Sequence, residues 1–222
     1  MQCKKRLIVE GYFDKLFQDA LLRSLGMSDI EVTIPQTSGS PYGGKGNAIN
    51  LFASATHLLY DGSLEKLALI VDADFENISS QGFGKTLENI EEKVNAKGFE
   101  KQTKPVNYKT GIYFTKESPK VKIAAWIMPN NSINGYLEYL LFEALKMTKS
   151  SITNETENIV SKIQNKEYPP HHEMKAKLAV AMAMMENPGR NISHLMEKDM
   201  LDCNNNIKLR DFIEFLSEYF EK

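Results

Sequence analysis

Leu67-Ala68-Leu69-Ile70-Val71 is an unbroken apolar run, entered from Glu65-Lys66 and left through Asp72-Ala73-Asp74. A strand with one wet face alternates polar and apolar residues, so an uninterrupted run reads as a strand covered on both faces. Such a strand needs helices on either side of a mostly parallel sheet, and the flanking sequence supplies both kinds of element. Leu7-Ile8-Val9 is a short apolar run rich in β-branched residues that stops at Glu10-Gly11. Asp14 to Leu25 then sets Leu16, Phe17, Ala20, Leu21 and Leu25 at helical spacing, closed by Gly26. Glu31 to Pro35 reads as a second strand, Ser38 to Gly46 as a loop, and Asn47 as the cap of a helix reaching about Tyr60. Beyond Asp74 the pattern predicts a helix at Thr86 to Ala96, strands at Ile112 to Phe114 and Val121 to Met128, and an amphipathic helix at Gly135 to Met147.

The expectation is therefore an α/β fold, a mostly parallel sheet flanked by helices, over residues 1–149. The polar stretch Ser150 to Glu155 marks a change of character. Residues 150–222 read as a helical C-terminal extension, with helices at Thr156 to Lys166, His171 to Glu186 and Leu209 to Phe220. With 222 residues, 42% of them hydrophobic, the chain has enough apolar material for a sizeable core. A net charge of −2 provides no global basic field. Cys3 and Cys203 form no CxxC pair, which speaks against a zinc knuckle or a disulfide scaffold. No signal-peptide core is visible, and no apolar run approaches the ~20 residues of a membrane helix, so a cytoplasmic protein without a membrane partner is expected.

Two strands end in acids. Glu10 closes the first, with Asp14 in the opening turn of the next helix, and Asp72 and Asp74 close the apolar run. The carboxyl ends of strands line the ligand crevice of open α/β sheets. Residues two apart on an extended chain point the same way, so Asp72 and Asp74 are positioned to face one cation. Mg²⁺ takes oxygen ligands, commonly one or two carboxylates plus waters. The alternative is structural, since strand-end acids often cap a helix or stay solvated in a loop.

Taken together, Glu10-Gly11 with Asp14, followed by Asp72-Ala73-Asp74, resemble the TOPRIM domain of topoisomerases, primases and overcoming-lysogenization-defect nucleases. The likeness extends to a group of stand-alone bacterial and archaeal TOPRIM-like proteins. It runs through Ile127-Met128-Pro129-Asn130, Gly135-Tyr136-Leu137-Glu138, His172 to Ala179 and Leu209 to Phe212. It departs at Asn130, where the pattern has Asp. The resemblance implies Mg²⁺, with Mn²⁺ able to substitute, held by Glu10, Asp72 and Asp74. It implies catalytic roles for Glu10, Asp14, Glu138 and Lys175, phosphodiester chemistry on DNA or RNA, and a defence effector controlled by an ATPase partner. Glu138 and Lys175 could equally be solvated helix residues.

Other signals are weaker. Gly39-x-x-x-x-Gly44-Lys45 has P-loop spacing, but Gly46 stands where the Mg²⁺-holding hydroxyl belongs; Gly84-Lys85-Thr86 has the hydroxyl, but Ser79 replaces the first Gly. Gly43, Gly44 and Lys45 remain substrate-binding candidates through backbone N–H groups at a helix start. The lysines between Lys97 and Lys122, interleaved with Tyr108, Tyr113 and Phe114, fit either a nucleic-acid track or a hairpin with a guarded edge. Adjacent His171 and His172 point about 100° apart on a helix and rarely share an ion; they fit a first turn after Pro169-Pro170. Two functional classes follow: a Mg²⁺-dependent nuclease or related phosphoryl-transfer enzyme, and a non-catalytic TOPRIM-like module that binds a protein partner.

Overall fold

The computed structural model describes residues 3–36, 43–76, 81–102 and 109–221. The described residues contain a six-stranded sheet in the order β2-β1-β3-β6-β5-β4. β1 (Lys5–Val9), β2 (Ile30–Thr33), β3 (Lys66–Asp72) and β6 (Lys120–Met128) run parallel, while β5 (Ile112–Glu117) and the short edge strand β4 (Glu100–Lys101) are antiparallel additions. The α/β architecture expected from the apolar run is thus the one observed. Among the described residues, seven α-helices accompany the sheet: α1 (Tyr12–Ser24), α2 (Lys45–Ala55), α3 (Phe83–Asn95), α4 (Leu137–Thr148), α5 (Ser150–Lys162), α6 (Glu173–Ala183) and α7 (Arg210–Glu221).

Strand parity sorts the interior into two cores. Leu7, Val9, Ala68, Ile70, Ala124, Trp126 and Met128 meet Phe17 and Leu21 of α1 and Leu141, Leu178, Phe212 and Phe215 of α4, α6 and α7. The intervening Ile8, Leu67, Leu69, Val71, Ile123, Ala125 and Ile127 meet Ile49 and Phe52 of α2 and Ile90 and Val94 of α3. β3 is buried on both faces for this reason. The helices beyond Lys149 share the first of these cores with the sheet. Trp126 packs at a tilt against both Phe212 and Phe215, ring centroids 5.3 and 5.4 Å away. The Tyr219 hydroxyl donates to the Leu67 carbonyl at 2.8 Å.

Several local expectations are corrected. Ser150 to Glu155, polar enough to suggest a connector, is the first half of α5. One of its hydroxyls is satisfied inside the helix: the buried Thr153 donates to the Ser150 carbonyl at 3.1 Å. Gly44, not Asn47, is the N-cap of α2, and that helix gives way at Ala55 to a 3-10 turn over Thr56–Leu59. α3 starts at Phe83, three residues before the expected Thr86. The expected helix from His171 is a 3-10 turn, Pro170–His172, followed by α6. The lysine-rich stretch is an antiparallel hairpin of β5 and β6 where it is described. Gly39, Ser79 and Tyr108 lie outside the described residues. Among the described residues, no helix is long and apolar enough to cross a membrane.

Because α7 completes the core under β6, truncating its central ring should be costly. Phe215→Ala is expected to remove about 3–5 kcal/mol of unfolding free energy. The measurement is the urea midpoint, which should fall with the slope unchanged.

Candidate functional site

β1 lies between β2 and β3. The chain leaves it through α1 on one face and returns to β3 through α2 on the other. That reversal opens a crevice at the carboxyl ends of β1 and β3, the usual ligand position in such sheets. Val9 pairs with Ile70, so Glu10 emerges beside the end of β3. Its Oε1 accepts the Asp72 N–H at 2.9 Å. Asp72 Oδ1 in turn accepts the N–H of Leu137, the first residue of α4, at 3.0 Å. Asp14 Oδ2 reaches back to the Gly11 N–H at 3.1 Å, as an acidic residue in a first helical turn should. Each of these three carboxylates therefore commits one oxygen to holding an element end in place.

Asp74 behaves differently. The i, i+2 expectation for Asp72 and Asp74 assumes an extended chain, but β3 ends at Asp72 and Asp74 has φ +59°. Its backbone exchanges two hydrogen bonds with Gly135, and its Oδ2 pairs with Lys45 Nζ at 2.6 Å. A lysine in the first turn of α2 opposes the helix dipole. The ion pair, together with a bond from Nζ to the Ala73 carbonyl at 3.1 Å, offsets this and draws Lys45 across to β3. Gly43 and Gly44 press on the end of β1: the Gly44 N–H donates to the Glu10 carbonyl at 2.9 Å, and a Cβ on Gly43 would sit 2.1 Å from that oxygen. The three loop candidates thus adjoin the acids, with Lys45 held by Asp74.

α4 and α6 close the other side. Glu138, in the first turn of α4, faces Lys175 of α6 with Oε1 and Nζ 3.6 Å apart. Lys175 Nζ also lies 4.7 Å from the Tyr136 ring centroid, and the Tyr136 hydroxyl donates to the His171 carbonyl at 2.6 Å. Phe75, next to Asp74, packs against both Tyr136 and His171. Asn130 is exposed and bonds its own turn, Ser132 and Ile133, away from the cluster. Asn134 is a contributor that sequence reasoning missed: its Oδ1 accepts the Phe83 N–H at 2.7 Å and fixes the start of α3. No local spacing signals that contact, because it joins segments 51 residues apart.

The electrostatics are those of a cluster short of positive charge. Burial, and then the charge of Asp14, push Glu10 up to about 8, although the Asp72 N–H and Lys45 pull it down. Asp14 is pushed up to about 6 by burial and by Glu138. Asp72 lies well above the usual carboxylate range through burial and through Glu10, Asp14, Glu138 and Asp74. Burial opposes the Lys175 ammonium, yet Glu138, Asp72 and Asp74 outweigh it and hold its pKa above the ordinary value. His172 is lowered by burial, His171 and Lys175, while Glu138 and Asp74 act on it in the opposite sense.

Among the described residues, no three of His, Cys, Asp and Glu converge as a ready-made metal cage. Separate backbone donors and Lys45 hold the carboxylates apart. The donor chemistry nevertheless fits a hard divalent cation: oxygen ligands whose mutual repulsion a positive charge would relieve.

Residues 4–221 match the family described as protein of unknown function (DUF3226). The chain belongs to this family. Searches of curated proteins and of solved structures gave no match. Across the DUF3226 match, the residues that meet at the crevice come from both ends of the chain, from Glu10 to Lys175.

Glu10 should make this protein lose stability as the pH rises. Between about 4.5 and 8 the folded state keeps a proton on Glu10 that the unfolded chain has released. Asp14 adds to the effect from 3.8 to about 6. The contribution is complete below the lower value and lost through the upper one. Thermal melts are expected to give a higher Tm at pH 5 than at pH 8, and Glu10→Gln should shrink that difference.

Proposed function

We propose that this protein is a Mg²⁺-dependent nuclease or a related phosphoryl-transfer enzyme acting on DNA or RNA phosphodiesters. The observation that carries the reading is that Glu10 and Asp72 meet at the switch-point crevice, with Asp14 near enough to act on both, and that burial and mutual repulsion raise the proton affinity of all three. The TOPRIM resemblance of the same residues supports it. Glu10 and Asp72 would hold Mg²⁺, with Mn²⁺ able to substitute and water completing the shell. The ion, when bound, would neutralise phosphate oxygens. Asp74, engaged by Lys45, is a ligand only if that pair opens.

The chain's own groups have distinct parts in this reading. Glu10 holds its proton up to about pH 8 in the metal-free fold; a bound cation would favour the carboxylate, which is the form suited to take a proton from the attacking water. Lys175 stays cationic beside Glu138 and is suited to meet the phosphate. Control by an ATPase partner in a defence setting belongs to the same proposal and rests on resemblance alone. The alternative, a non-catalytic protein-binding module, draws on the capping role of the acids: Asp72 and Asp14 both secure helix starts.

Asp72→Asn separates the two readings, because the amide oxygen keeps the Leu137 cap and loses the charge. Mg²⁺ or Mn²⁺ should raise the Tm of the native protein by mass action and leave Asp72→Asn unmoved. Equal shifts in both proteins would put the ion elsewhere. Glu10→Gln should abolish Mn²⁺-dependent cleavage of nucleic acid while retaining the fold, measured as growth arrest or phage restriction in the native genomic context. An unchanged phenotype with both proteins expressed would favour the binding module.

A further inference from the structure

Phe13 and Tyr12 directly precede Asp14 on α1. Phe13 is 65% exposed and Tyr12 47%, and their rings meet edge to face with centroids 6.1 Å apart. Water-facing aromatic surface of this kind, beside an acid cluster, is unfavourable unless something covers it. Phe13 also forms one wall of a cavity of about 440 Å³ whose apolar lining includes Leu178, Met182 and Ile192. That volume lies in the range of small-molecule pockets. Glu138 and Lys175 line the cavity as well, so it opens off the crevice that holds the acids. Lys175 and Arg190 bring cationic groups to its lining.

We propose that this cavity is a nucleobase subsite, taking one unpaired base beside the phosphodiester at the acid cluster, and that single-stranded DNA or RNA is the preferred substrate. This rests on the phosphodiester reading of the crevice and names its substrate class. A base offers a flat, weakly hydrated face that stacks on an aromatic ring whatever its identity. Met182 opposite adapts its shape to different bases. Lys175 and Arg190 are paired with Glu138 and Glu197, and the flanking phosphates would compete with these carboxylates for them. A base inside a duplex has both faces stacked and its edge paired, so it would enter only by leaving the helix at a cost in free energy.

The test is fluorescence anisotropy of a labelled single-stranded oligothymidine and of its duplex, with Ca²⁺ in place of Mg²⁺. The proteins are the full-length chain, Phe13→Ala and Phe13→Trp. Native protein should bind the single strand more tightly than the duplex. Phe13→Ala should lose about 10- to 100-fold in affinity for the single strand and little for the duplex, and Phe13→Trp should restore it. If native protein binds the single strand and Phe13→Ala binds it equally well, the subsite falls and the crevice reading stands; a cavity built for an apolar side chain of a protein partner gives this result. If native protein binds neither form, the phosphodiester reading falls and the subsite with it.

Discussion

The hydrogen bond from the Asp72 N–H to the Glu10 carboxylate joins the ends of the two strands on which the crevice is built. Its geometry depends on β1 and β3 being parallel neighbours in a fixed register, which the two-sided burial of β3 enforces. From Asp72 the connection passes to the first N–H of α4, and from α4 through Glu138 to Lys175 of α6. A chain of polar contacts thus carries the position of the strand ends into the C-terminal helices. Removing Glu10 would leave the Asp72 amide without this partner.

The acids serve two purposes that pull against each other. As acceptors for backbone N–H groups they are favoured ionised, because a bond to the charged form stabilises it. As close neighbours with limited access to water they are favoured protonated. For Glu10 and Asp72 the second effect wins, and burial is the first cause of both displacements. Lys45 and Lys175 offset part of the negative charge from opposite sides, one from the start of α2 and one from α6.

Much of this was legible in the sequence, for reasons specific to each element. The unbroken apolar run from Leu67 pointed to a doubly covered strand because it is short, contains β-branched residues and is bounded by charged ones. The switch-point crevice followed from the strand–helix alternation, and the acids followed from their place at strand ends. Asp74 was misassigned in direction because the residue turns into the left-handed region, which no neighbouring glycine or proline announces. α5 was obscured because Thr153 and Thr156 are buried in a segment whose composition is polar. The packing of Phe75 against Tyr136 and His171 escaped notice because it joins distant segments through tertiary contact. Local periodicity carries no trace of such contacts.

The position of Tyr219 has a consequence for how the chain reaches this structure. Its hydroxyl bonds to Leu67, 152 residues earlier, and lies 3.1 Å from the carbonyl of Lys122. Contacts of such long sequence separation form late, because a large loop must close before they contribute. Until α7 arrives, Trp126 and the apolar side of β3 and β6 lack their cover. A partly synthesised or partly unfolded chain would therefore display apolar strand surface that α7 otherwise covers. On this view, the helix farthest along the sequence acts as an internal chaperone for the strand that carries Asp72.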